Sequence, residues 1–252
     1  MILTTLGTSH GNPTKERFNS SNTLEINGNL YIIDAGAPAN ALFIRKFKHD
    51  FSKVKAIFIT HAHEDHIAGL PSFIKSLMKY PKEGQSTDIF LPEDVEKQLV
   101  AWLHAMHHTG IEQWVRFHVV KEGLIYKNED LEVHAIGTRH IVSEDGRYIS
   151  FAYRFETQGK SLFYTGDMAH DFSDFPANDL AEKGADLCVC EATHYRREEG
   201  VAVMKGLPIK RLVFNHVWDD KVTEEQERYW LSAFEAEGFV CNIAHDGDVY
   251  EI

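Results

Sequence analysis

Residues 60–66 read THAHEDH, three histidines and two acids in seven positions, directly after the apolar run AIFI. Imidazoles and carboxylates packed this densely repel or desolvate one another unless positive charge lies between them. His61 and His63, two residues apart, can hold one metal ion as a pair. Asp65 and His66 can serve a second. A zinc site takes imidazole nitrogen and carboxylate oxygen at about 2.0–2.2 Å and keeps one position open when it is catalytic. Two ions roughly 3.5–4 Å apart can share a water-derived nucleophile and clamp the oxygens of a displacement. Four ligands do not complete two such sites. The further pool is Asp34, His140, Asp167, His194 and His216.

Those candidates need elements to carry them. Several close short apolar runs: YIID, FITH, FYTGD, CVCEATH and LVFNH. Run lengths of about four to seven with β-branched and aromatic content suit strands. ILTTLG, NTLEI, DIFLP, LEVHAI, ISFAYRF and VYEI read the same way. Helical patterns lie between some of them: PANALFIRKFKH with Pro38 in its first turn, HIAGLPSFIKSLMKY with an irregular start at Gly69 and Pro71, EDVEKQLVAWLHAMHH, and TEEQERYWLSAFEAEG with Thr223 as N-cap. Nothing resembles a linker or a low-complexity tract. The expectation is one α/β domain over 1–252, with antiparallel hairpins in 21–34 and 131–167, and strand ends converging on one rim.

The 252-residue chain is 43% hydrophobic and 25% charged, ordinary for a soluble globular protein. No apolar run approaches a membrane span, and the N-terminal residues lack the basic start and apolar centre of a signal peptide. Cytoplasmic location is expected, with Cys188, Cys190 and Cys241 reduced. The formal charge of −12 argues against a general nucleic-acid binder. Bound dications can still reverse the field inside one cleft and admit a phosphate ester.

THAHEDH resembles the H-x-H-x-D-H signature of the metallo-β-lactamase fold, a four-layer αββα sandwich with metals at one edge. The likeness continues in order through LGTSHGNPTKERFNSSNTLEI, IIDAG, GTRHIVSEDGRYISFAYRF, YTGDM, EATH, RLVFNHV and AHDGDVYEI, which are similar to the ribonuclease Z branch. The resemblance implies that His61, His63 and His140 hold one metal, that Asp65, His66 and His216 hold another, and that Asp167 bridges them. Asp34 would orient a ligand without touching metal. Two divalent ions are implied; zinc suits the donor set, and manganese or iron would fit it too.

The chain departs from that branch in two places. The interval from His140 to Asp167 is too short for the long tRNA-gripping arm, so tRNA is not the expected substrate. It looks more like the cyclic phosphodiesterases of the same branch. In that group a histidine stands upstream of the last metal ligand at the spacing His194 keeps to His216. Here, however, His194-Tyr195-Arg196-Arg197 replaces the ribonuclease form of this segment. His194 is therefore read as proton donor or substrate contact, against a bystander on the rim.

The reading is a dinuclear metal-dependent hydrolase acting on a small phosphodiester by attack of metal-bridging hydroxide, with Asp65, Asp167 and His194 as the catalytic set. Its rivals are an acyl hydrolase for lactones or thioesters, and a metal-containing sensor or partner-binding protein with little turnover. A small molecule is the expected partner, no membrane is involved, and a homodimer stays open. A helical lid insertion at about 80–115 would carry His104 and His108 toward the substrate. His10 in the first glycine loop and Arg196 are further candidate contacts. Arg196 and Arg197 can equally pair with Glu198 and Glu199. Tyr153 and Arg154 are expected on a strand below the site.

Overall fold

The computed structural model describes residues 1–252 apart from 82, 83, 85, 94 and 218–222. Among these, the first sheet takes β1 (Ile2–Gly7), β2 (Ser21–Ile26), β3 (Asn29–Ala35), β4 (Val54–Phe58), β5 (Thr87–Leu91) and β6 (Val115–Val119), and the second begins with β7 (Gly123–Lys127), β8 (Glu132–Gly137), β9 (Phe151–Thr157) and β10 (Lys160–Tyr164). The second continues with β11 (Leu187–Glu191), β12 (Leu212–Asn215) and β13 (Cys241–Ile243), while β14 (Val249–Glu251) returns to the first. The orders are β14-β1-β2-β3-β4-β5-β6 and β13-β12-β11-β10-β9-β8-β7.

Each sheet is antiparallel in one half and parallel in the other. β3 to β6 run parallel, as do β10 to β13. Parallel neighbours need crossovers. α1 (Ala39–Phe47), α3 (Leu70–Lys79) and α4 (Glu96–Ala105) connect β3 through β6, and α5 (Ala177–Lys183), α6 (Arg197–Met204) and α7 (Glu224–Glu235) connect β10 through β13. Residues of both sheets, including Leu24, Phe58, Tyr153 and Val189, form the core between them. The outer face of the first sheet packs on Phe43, Phe73 and Leu103 of its helices. The outer face of the second packs on Met204, Trp230 and Phe234. This is the expected four-layer αββα metallo-β-lactamase sandwich, with the hairpins of 21–34 and 131–167 as β2–β3 and β8–β9–β10.

The central strands read as continuous apolar runs because both faces are covered; β3, NLYIIDA, is buried from Leu30 to Ala35. The helix expected over 66–80 is split into α2 (Glu64–Ile67) and α3. Gly69 stands between them because a Cβ there would lie 2.7 Å from Gly36 O and 2.8 Å from Ala35 O. Thr223 caps α7 through a reciprocal pair: its hydroxyl accepts from Gln226 N at 3.2 Å, and the Gln226 side chain accepts from Thr223 N at 2.9 Å.

The lid expected at about 80–115 falls partly on residues 82, 83, 85 and 94, outside the described residues. The described part is β5, the crossover helix α4 and the approach to β6. Leu103 is fully buried in the outer-face core and α4 packs beside α3. No helix among the described residues is long and apolar enough to cross a membrane.

Candidate metal centre

Parallel strands deliver their C-terminal ends to one edge. β3 ends at Asp34-Ala35, β4 leads into Thr60-His61, and β10, β11 and β12 lead to Asp167, Glu191 and His216. β8 runs in the same sense as β10, because each is antiparallel to β9, and it delivers His140. Gly166 makes the close approach feasible. Its φ is +59°, and a Cβ there would lie 2.9 Å from Thr60 Cβ, so glycine lets the Asp167 turn lie against the histidine loop.

Two ligand sets result. His63 Nδ1 lies 3.0 Å from His61 Nε2 and 3.1 Å from His140 Nε2. Asp65 Oδ2 lies 3.0 Å from His216 Nε2 and 3.5 Å from His66 Nε2. Asp167 stands between the sets. Its Oδ2 is 3.6 Å from His61 Nε2, 3.7 Å from His140 Nε2 and 3.4 Å from His216 Nε2, while Oδ1 is 3.4 Å from His66 Nε2. Donors each about 2.0–2.2 Å from a common ion lie about 3–3.5 Å apart, so the spacing suits divalent metal. His66 Nε2 and Asp167 Oδ1 are buried without a hydrogen-bond partner among the described residues. Such orphans in a polar cluster call for an ion or water.

The other nitrogen of His66, His61 and His140 is engaged, which fixes the tautomer of each, whereas His216 Nδ1 is buried without a hydrogen-bond partner among the described residues. Asp34 Oδ2 lies 2.9 Å from His66 Nδ1 and the same carboxylate accepts from Thr60 N at 2.7 Å. Thr60 Oγ1 is 3.1 Å from His61 Nδ1, and Met168 O is 3.2 Å from His140 Nδ1. Burial, reinforced by His66, pushes His61 well below its ordinary value and so keeps it neutral. Burial opposes charge on Asp167, but His216, His66 and His61 outweigh it and hold the carboxyl well below the usual range. Asp65 is lowered as well, burial again being outweighed by His216 and His66. Burial acts against charge on His66, yet Asp167 and Asp34 prevail and raise it well above its usual value. Of these imidazoles, His66 alone stands where its surroundings favour positive charge.

His194 is beside the cluster, its Nδ1 3.8 Å from Asp167 Oδ2. Its ring centroid is 4.7 Å from that of His140 and 5.5 Å from that of His216. His10 is also near, 6.0 Å from His216 in an edge-on contact. Arg196 is turned onto Glu199, with Nε 2.9 Å from Oε1, in an exposed pair. His104 and His108 are not brought to the cluster. They lie at the C-terminal end of α4, on the edge where β6 starts, opposite the edge to which β4 delivers His61. A crossover helix runs back along its sheet, and that reversal carries them away.

Two partners were not singled out from the sequence. Glu191, fully inside the fold, accepts from Met168 N at 2.6 Å, His194 N at 2.9 Å and His194 Nδ1 at 2.9 Å. Its signal was an acid closing an otherwise apolar strand. Gly11 N donates to Asp65 Oδ2 at 2.8 Å; a backbone donor leaves no signal in residue type.

A sequence profile described as Anti-Pycsar protein Apyc1 matches residues 1–193. The chain belongs to this family. Ribonuclease Z of Shouchella clausii (strain KSM-K16) is 34% identical over 163 residues, which is 64% of this chain and 49% of that one. The chain thus spans about half the length of the curated relatives it matches. Among solved structures, the metallo-β-lactamase fold protein YhfI from Bacillus subtilis superposes with a TM-score of 0.77 at 16% identity, covering 100% of this chain and 99% of that one. A diphosphatase from the PhnP family gives 0.75 at 22% identity, covering 100% and 97%. This Apyc1-family chain stands in the ribonuclease Z-like branch of the metallo-β-lactamase fold. His194 and His216 follow the stretch matched by the Apyc1 profile, and the parallel second sheet returns both to the cluster.

Proposed function

We propose that the chain is a dinuclear metal-dependent hydrolase that cleaves a small phosphodiester. The observation that carries this reading is Asp167, whose two carboxylate oxygens lie within 3.7 Å of ligand nitrogens from both histidine sets. His61, His63 and His140 would hold one ion, Asp65, His66 and His216 the other, and Asp167 both. Zinc is the favoured ion because nitrogen donors dominate. When bound, the pair would supply an acidified water as nucleophile and positive charge for the ester oxygens.

The chain's own residues do the rest. Asp34, Thr60 and Met168 O hold the imidazoles with one nitrogen facing inward. Glu191 accepts from His194 Nδ1, which leaves Nε2 of that ring as the atom to give a proton to the departing alkoxide. A leaving alkoxide needs that proton far more than an activated acyl leaving group does, and so the pairing of half-buried His194 with buried Glu191 favours phosphodiesters over lactones or thioesters. The stretch from His140 to Asp167 holds two short hairpins, one over 141–149 and one of β9 and β10, which supports a small substrate rather than a gripped RNA.

The test is metal-loaded turnover on matched chromogenic substrates: a phosphodiester, a phosphomonoester, a lactone and a thioester, with Asp167→Ala as control. Diester hydrolysis that disappears in the variant supports the reading. A preference for lactone or thioester would move the assignment to acyl transfer.

A further inference from the structure

The two proposed ligand sets are not built alike. Asp65, His66 and His216 are all buried, whereas the other set includes exposed His63. The buried set is also braced by the loop of residues 8–20, which connects β1 to β2. Gly11 N donates to Asp65 Oδ2 at 2.8 Å. Val217, next to His216, donates its N–H to Thr8 O at 2.9 Å and accepts from His10 N at 3.1 Å. His216 has φ +51°, in the left-handed region that side chains rarely adopt. The bonds beside it hold a conformation that its own backbone disfavours.

Asn19 holds the tip of that loop. Its side-chain amide donates to Gly11 O at 2.7 Å, so the residue whose N–H reaches Asp65 is gripped by its carbonyl. Ser9 Oγ donates to Asn12 O at 2.7 Å and closes the tip from the other side. A Cβ on Gly11 would meet nothing within 4 Å, and hydrogen bonds rather than packing therefore fix the tip. Asn19 itself is buried and tightly seated. A Cβ on Gly7 would lie 2.1 Å from Asn19 O, and one on Gly36 would lie 2.7 Å from Asn19 Cβ and 2.0 Å from Asp65 O. Asn19 and Asp65 thus pack against the same bare α-carbon. None of the hydrogen bonds of Asn19 or Gly11 goes to His61, His63 or His140.

A carboxylate that accepts a fixed backbone N–H on one oxygen has its rotamer set before an ion arrives, and less order is lost on binding. We infer that Asn19 is a positioning residue for one ion only. Through Gly11 N it keeps the Asp65 carboxylate turned toward His66 and His216, so the affinity of that set depends on Asn19 and the affinity of the His61, His63 and His140 set does not. The inference rests on the dinuclear metal centre of the hydrolase reading and is independent of which ester is cleaved.

Zinc binding to the full chain tests it without any substrate, by competition with a chromogenic chelator. His63→Ala leaves the buried set complete, and His216→Ala leaves the other. In the His63→Ala background, Asn19→Ala is expected to raise the zinc Kd about tenfold, the lower end of the range for a partner behind a ligand. In the His216→Ala background the Kd should not change. Asn19→Asp fills the same space but presents a carboxylate that cannot donate to Gly11 O, and it should give the same selective loss. Equal weakening in both backgrounds would mean general loosening and overturn the inference, as would no change in either. A loss in Asn19→Ala that Asn19→Asp does not share would assign the effect to packing and overturn it too. Wild type that binds no zinc would sink both the inference and the metal centre on which it rests. Selective loss in a protein that cleaves no ester leaves Asn19 in its role and removes the hydrolase reading. Diester cleavage with an unselective Asn19 effect does the reverse.

Discussion

His194 Nδ1 lies 2.9 Å from Glu191 Oε2, and that carboxylate is buried and held by backbone amides on either side. The pair engages Nδ1 of the imidazole, and the proposed proton donor is Nε2. His194→Ala is expected to reduce kcat by about 10²–10⁴-fold on a diester with a poor leaving group, the usual worth of a general acid. With 4-nitrophenolate leaving, which needs little protonation, the loss should shrink by at least tenfold. Equal losses on both substrates would remove His194 from the proton-donor role.

Asp34 Oδ2 lies 2.9 Å from His66 Nδ1, so it would orient the proposed ligand His66. Asp34→Asn should weaken metal affinity by about 10–100-fold, the range for such partners. Competition with a chromogenic chelator measures it, and unchanged affinity would show that His66 needs no such support.

Chelation should destabilise the protein as well as silence it. Five residues proposed as ligands, His61, Asp65, His66, Asp167 and His216, are buried in one cluster, and a ligand at 100 times its Kd adds about 2.7 kcal/mol to the folded state. The melting temperature is expected to fall on dialysis against chelator and to recover with zinc. Asp167→Asn should shrink that response, since it weakens both sites.

The acid limb of stability has a contributor far from the metals. Burial acts to raise the Asp88 carboxyl, but hydrogen bonds from Arg116 and His118, at 2.9 and 2.7 Å, win and lower it. A carboxyl lowered by folding contributes stability above its unfolded value, and that contribution is lost as pH falls through the folded value. Denaturant unfolding of Asp88→Asn should therefore show a deficit at neutral pH that narrows as the medium is acidified below pH 4. A constant deficit across that window would assign the loss to packing.

Gly166→Ala is expected to destabilise by about 1–3 kcal/mol, because a side chain there combines positive φ with a clash against Thr60. It should also lower metal stoichiometry, since Asp167 follows directly. Chemical denaturation and metal analysis on the same preparation separate the two effects.

Several elements escaped the sequence for local reasons. β6, VRFHV, and β7, GLIYK, are sheet edges whose charged and exposed residues blur the strand pattern. α6, REEGVAVM, carries Gly200 in mid-helix, where a Cβ would lie 2.5 Å from the Tyr195 ring. Tertiary packing there overrides propensity. α5 is only seven residues long.

The sequence by itself determined the donor types and where each would stand. THAHEDH is a local pattern, and an acid or histidine closing an apolar strand can be read residue by residue. What only the tertiary structure decided is which strand ends meet. That follows from parallel pairing within each of two facing sheets, a set of contacts between distant residues that local spacing does not encode. The same pairing joins Glu191 to the site through His194, brings His10 beside His216, and turns α4 so that His104 and His108 finish at the far edge.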